Sequence, residues 1–174
     1  MNKDLPDWSK SHNGIMLGTF QFTRDNMPEV TPILNELLPM LEGHEDDYLI
    51  DVKVHMLMPN QFPCIPNWHL DFLPRGCDGK RTGGERSTKK MFMWLSGAPL
   101  TEYKAKDGTI TTKPAKSWHS FTQSDLHRGC VAKEFTWRCF IRVIPKEFLH
   151  QATLNTGTVR RHTQVYLDAS KFKW

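Results

Sequence analysis

Three absences narrow the class of this 174-residue chain before any motif is considered. No stretch approaches the roughly 18 uncharged apolar residues of a membrane span, and the opening residues, MNKDLPDWSKSHNGIM, contain no signal-peptide core. A soluble, cytoplasmic protein without a membrane partner is therefore expected. There is no CxxC pair: Cys64, Cys77, Cys130 and Cys139 stand far apart, which suits free thiols better than a disulfide frame. A zinc site drawn from Cys64, His69, Cys77 or Cys130 is the weakest reading, because those spacings match neither ribbon nor finger. Repeats and low-complexity tracts are also missing, which argues against a solenoid or a disordered tail protein.

What the chain does have is core-forming bulk. Six Trp and ten Phe within 39% apolar residues are enough for one domain, 1–174, of this length. Formal charge is +4, and the segment 74–90, PRGCDGKRTGGERSTKK, alone carries a net +4, so the remainder sums to zero. That segment also holds four glycines and no periodicity, the signature of a long exposed loop.

Apolar residues recur at three- and four-residue steps over MPEVTPILNELLPMLEG, predicting a helix over 27–43. Asn26 is placed to cap it, Pro28 suits its first turn, Pro39 should kink or stop it, and Gly43 should end it. From residue 50 the period becomes two. DVKVHMLM (51–58) puts Val52, Val54, Met56 and Met58 on one side, KMFMWLS (90–96) is apolar on both faces, and FTWRCFIRV (135–143) alternates Arg138, Phe140 and Arg142 against Trp137, Cys139 and Ile141. Asp107-Gly108 marks a hairpin turn. Many short strands after one early helix imply a mainly β fold with a flanking helix: a support of about 1–49, a β-barrel core of about 50–145 and a C-terminal extension, 146–174.

Within PNWHLDF (66–72), strand alternation would project His69 and Asp71 to one side. A third ligand on a neighbouring strand would complete a two-histidine, one-carboxylate face, the arrangement that suits non-haem Fe(II). The pair alone says little, since this composition produces about 0.5 HxD pairs by chance. His44 and Asp46, in the acidic stretch GHEDDYL, form just such a decoy, read as surface charge. Context favours His69 and Asp71. His127 lies 56 residues after Asp71, and the strand bearing Arg138 and Arg142 follows. Two arginines on one face of an apolar strand call for an anion or for solvent.

This order, His69-x-Asp71, His127, then Arg138 and Arg142, resembles the Fe(II)- and 2-oxoglutarate-dependent oxygenases over about residues 50–145. The resemblance implies a double-stranded β-helix, a cupin-like jelly-roll barrel. It implies that His69, Asp71 and His127 bind Fe(II), that 2-oxoglutarate chelates the metal, and that Arg138, in preference to Arg142, pairs with its distal carboxylate. O2 is the co-substrate implied, and hydroxylation or oxidative demethylation the reaction. Phe140 departs from the family's small residue two positions past the arginine.

His55 and Asn67 are candidate substrate contacts, each with a structural alternative. Asp125 is a candidate for orienting His127 or capping a turn, His119 for bordering the pocket, and Trp94 and Tyr103 for bonding or packing against the co-substrate, while Trp118 is read as core in preference to pocket. Arg81 and Arg86 in the basic loop 74–90 would meet a polyanionic substrate such as nucleic acid, or simply be solvated; Arg160, Arg161 and His162 form a second basic cluster. The alternative to an enzyme is a catalytically silent barrel that binds or inhibits a nucleic-acid or protein partner.

Overall fold

Period-two segments become strands, and their two faces are sorted by polarity. The computed structural model describes residues 6–11, 14–73, 84–149, 158–160 and 166–167, the last two stretches as backbone alone. Strands β1 (Gly14–Gly18), β2 (Tyr48–Leu57), β4 (Met91–Leu95), β7 (His119–Phe121), β9 (Thr136–Pro145) and β10 (Thr158–Arg160) form one antiparallel sheet in the order β10-β1-β2-β9-β4-β7. Strands β5 (Thr101–Lys104), β6 (Ile110–Thr112) and β8 (Leu126–Gly129) form a second, ordered β6-β5-β8. Short β3 (Gln61–Phe62) pairs with β11 (Tyr166–Leu167). The fold is mainly β, as the alternation predicts. Among the described residues no helix is long and apolar enough to cross a membrane.

The N-terminal region differs from the single predicted helix. Residues 27–43 divide into a 3-10 turn at Pro28–Val30, helix α2 at Thr31–Leu37 and another 3-10 turn at Leu38–Met40. Pro28, Pro32 and Pro39 each lack the N–H that an unbroken helix needs, so the run fragments. Asn26 does not cap it: that residue ends a separate helix, α1 (Phe20–Asn26), and donates from its side chain to the Phe22 carbonyl. Gly43 lies beyond the last helical turn with φ +118°. The apolar stripe nevertheless does what its spacing implies. Val30, Ile33, Leu34 and Leu37 are buried with Ile50, Val52, Phe92, Trp94, Cys139, Ile141 and Val143 in one core between the helices and the outer face of the larger sheet.

The inner face of that sheet packs against the smaller one. Met91, Met93 and Leu95 from β4 join Tyr103 and Phe121, with Phe72, Phe140 and Phe148 at their edge. The doubly apolar pattern of residues 90–96 thus reflects a strand sandwiched on both faces, all five of its residues being buried. The predicted hairpin is present between β5 and β6, with Gly108 at φ +89° donating its N–H to the Ala105 carbonyl.

The segment 66–72 is not the strand its alternation suggests, and it lies in a largely irregular stretch from Met58 to Leu73. Apart from β3 that stretch contains a single bridge, in which His69 pairs antiparallel with His127. Their main chains exchange two bonds, His69 N–H to His127 O at 2.9 Å and His127 N–H to His69 O at 3.0 Å. Gly129 makes the close approach possible, because a Cβ there would stand 2.6 Å from the Cys64 carbonyl oxygen. The same glycine donates its N–H to Ile65 O.

Candidate metal centre

Residues directly opposed in an antiparallel bridge carry their side chains on the same side. Here that rule sets the two imidazoles together, with ring centroids 4.4 Å apart. Asp71 follows His69 by two residues, and the three donor groups fall within 4.8 Å of one another. The nearest approaches are 3.9 Å from His69 Nε2 to Asp71 Oδ1 and 3.6 Å from His127 Nε2 to Asp71 Oδ2.

The second nitrogen of each ring settles which one is free. His69 Nδ1 lies 2.8 Å from the Asn67 carbonyl oxygen, and His127 Nδ1 lies 2.9 Å from the Asp125 carbonyl oxygen. A carbonyl can only accept, so both Nδ1 atoms carry hydrogen, and Nε2, the nitrogen on the Asp71 side of each ring, is the position that takes up a proton or a metal ion. Backbone anchoring of the distal nitrogen is the usual way a protein orients ligand histidines. Metal–ligand bonds of roughly 2.0–2.2 Å set neighbouring donors about 3 Å apart, so side-chain movements of about 1 Å close this cluster on a divalent ion. The residues fit a metal. No cysteine belongs to the group: Cys64 lines the adjacent cavity, Cys130 lies elsewhere, and Cys77 falls outside the described residues.

Burial opposes charge on Asp71, yet the His127 hydrogen bond and the Arg142 guanidinium outweigh it and hold the carboxyl well below the usual carboxylate range. For His127 burial likewise works against the cation, and the Asp71 carboxylate overrides it, raising the imidazole.

The cluster opens into a cavity of about 130 Å³ between the two sheets. Register builds its floor: β2 and β9 oppose Asp51 to Arg142, Lys53 to Phe140 and His55 to Arg138, all on the face opposite Val52, Val54, Cys139 and Ile141. Arg142 donates from Nη1 to Asp71 Oδ2 and from Nη2 to Asp51 Oδ2, both at 2.7 Å. Arg138 is only 2% exposed, and burial lowers it to about 10. Its contacts are long, 3.3 Å to Thr101 Oγ1 and 3.5 Å to His55 Nε2, and its Nε has no partner. Among the described residues no carboxylate forms an ion pair with it. His55 is also buried there, lowered to about 3 by burial first and the Arg138 charge second, and its Nδ1 lacks a partner. Phe140, the bulky departure from the family pattern, lines the same space.

Several predicted residues stand elsewhere. Asn67 is exposed and contributes its carbonyl to His69 rather than a side chain to the cavity. Arg86 is exposed and is not among the cavity-lining residues, Arg81 lies outside the described residues, and Lys89 and Lys90 of the same basic stretch pair with Glu147 and Glu42. Of the second basic cluster, Arg160 is described as backbone alone, and Arg161 and His162 fall outside the described residues. Asp125 does both things expected of it, its main-chain carbonyl orienting His127 and its carboxylate capping a turn by accepting from Thr122 N and Oγ1. Trp94 is core, Trp118 donates to the Ile33 carbonyl, and His119 contacts Pro114 O and Ser117; Tyr103 alone of that group lines the cavity. The decoy His44 caps a 3-10 turn at the surface. Asp51, Lys53 and Thr101 were not singled out from sequence, although the alternation that puts Val52 and Val54 on one face necessarily puts Asp51 and Lys53 on the other.

Comparison with protein-family models, with curated proteins and with solved structures finds no match. The functional reading accordingly rests on the geometry of the site.

Proposed function

We propose that this protein is an Fe(II)- and 2-oxoglutarate-dependent oxygenase. The observation that carries the reading is a cavity holding a His-Asp-His cluster at one end and, at the other, a buried guanidinium that has no carboxylate partner among the described residues. An unpaired buried cation is costly, and a ligand carboxylate is the partner that removes the cost. Strand order supports a double-stranded β-helix: β2-β9-β4-β7 faces β6-β5-β8, which the His69–His127 bridge extends by one more segment.

In this reading His69, Asp71 and His127 hold the metal through two Nε2 atoms and one carboxylate. Arg138 would pair with the distal carboxylate of 2-oxoglutarate, with the Thr101 hydroxyl beside it. Arg142 already pairs with two aspartates, whereas Arg138 has no carboxylate partner among the described residues, which favours Arg138. Met93, Phe121 and Phe140 line the cavity and keep water from the metal-facing side. When bound, the iron with its co-substrates supplies oxidation of a substrate C–H bond, coupled to conversion of 2-oxoglutarate and O2 to succinate and CO2.

Anaerobic addition of Fe(II) and 2-oxoglutarate should produce a weak visible charge-transfer band, and air should then release succinate. His69→Ala and Asp71→Ala should lose both signals. Zn(II) suits the same donors, so a purified protein that retains zinc and shows neither band nor succinate overturns the oxygenase reading.

A further inference from the structure

Arg142 sits in the cavity floor yet touches no predicted ligand site except through Asp71, and that contact is one of a series. Asp71 Oδ2 accepts from Arg142 Nη1, Asp51 Oδ2 accepts from Arg142 Nη2, and Asp51 Oδ1 accepts from the Leu17 N–H at 3.0 Å. Leu17 offers that N–H because β1 is irregular there: its pairing with β2 shifts register between Ile15 and Gly18, and Leu17 has φ +52°. Gly18 is needed at the irregularity, since a Cβ would meet Ile15 Cγ2 at 2.6 Å. A rigid sheet position is therefore connected to one carboxylate oxygen of the metal cluster by three consecutive hydrogen bonds. Asp71 itself has no regular strand to hold it, as it precedes Phe72 at φ +50° in a bend.

We propose that Asp51 and Arg142 form a positioning pair that fixes the Asp71 carboxylate, engaging Oδ2 so that Oδ1 is the oxygen offered to the metal. The inference rests on the metal-site reading above. Partners of this kind, which touch a ligand rather than the ion, are commonly worth 10- to 100-fold in metal affinity. The guanidinium suits the device because its two Nη groups lie in one rigid plane and reach the two carboxylates in a set geometry, which the single nitrogen of a lysine ammonium does not reproduce.

Geometry and charge make opposite forecasts. If Arg142 acted only through its charge, Arg142→Met would remove a cation near the site and tighten divalent-metal binding, and Arg142→Lys would leave it unchanged. Positioning requires both substitutions, and Asp51→Asn, to weaken it. The test is anaerobic titration of the full chain with Co(II), read by its visible absorption, alongside circular dichroism to verify folding. Binding weakened about 10-fold or more in Arg142→Lys and Asp51→Asn, with an altered cobalt band, is the expected result. Should Arg142→Met fail to fold, those two variants decide. Wild-type binding with unchanged affinity and band in both variants overturns the positioning pair and leaves the metal site standing. A wild-type protein that takes up no Co(II) overturns the metal site, and the pair with it.

Discussion

Strands β2 and β9 pair over ten residues, and their two faces could hardly differ more. Toward the helices they present Ile50, Val52, Cys139, Ile141 and Val143, none more than 1% exposed. Toward the cavity they present Asp51, Lys53, His55, Arg138 and Arg142 with Phe140 among them. The first face gains free energy from removing apolar surface from water. The second gives up stability to gather polar and charged groups out of water, and one of them, Arg138, has no carboxylate partner among the described residues. A sheet interior this polar is unfavourable unless a ligand uses it, and that contrast is the physical basis for looking there for function.

Substitutions on either side should separate the two roles. Ile141→Ala, on the helix-facing side, is expected to lower unfolding free energy by about 2–5 kcal/mol while the folded fraction binds metal normally, as denaturant titration and Co(II) binding would show. Arg138→Met, three residues nearer the strand's start and on the other face, should do the reverse. It removes a buried cation lacking a carboxylate, so the ligand-free protein should gain on the order of 1–3 kcal/mol. If the proposed function holds, 2-oxoglutarate should raise the thermal midpoint of the wild type and leave that of this variant unchanged.

A smaller effect concerns pH. His55 is held neutral in the fold, lowered to about 3, whereas an unfolded histidine titrates near 6.5. Between those values the unfolded chain binds the extra proton, so the contribution of His55 is complete above pH 6.5 and falls as the pH drops toward 3. His55→Gln should remove up to about 1.4 kcal/mol per pH unit from the slope of stability against pH in that window, measured by urea unfolding at successive pH values. The smallest expected change is at Phe135, which immediately precedes β9 and is 70% exposed. Phe135→Ser should alter stability by no more than about 0.5 kcal/mol, as expected of an apolar side chain left in solvent beside this strand.

Much of the site can be read from residue spacing. The HxD pair, the later histidine and the alternating arginines were recognisable because strand periodicity assigns each residue a face. The alternation at 51–58 also contained Asp51 and Lys53, although isolated charges on a strand usually signify solvent. Other features had no local signal. The seven-residue α1 and five-residue β1 are too short for periodicity to define, and three prolines broke a helix whose apolar spacing was nonetheless sound. In PNWHLDF the alternation pointed to a strand, but the segment forms only one bridge, because Gly129 admits it to the edge of β8 at that point.

By itself the sequence determined which side chains share a face and which of them carry donor chemistry, since period and residue type are local properties of the chain. Only the tertiary structure decided which faces meet. The His69–His127 bridge, the partnership of Arg142 with an aspartate 91 residues away and the isolation of Arg138 depend on strand pairing across the fold. Such pairing reflects the burial of whole surfaces, a free energy that no short window of residues contains.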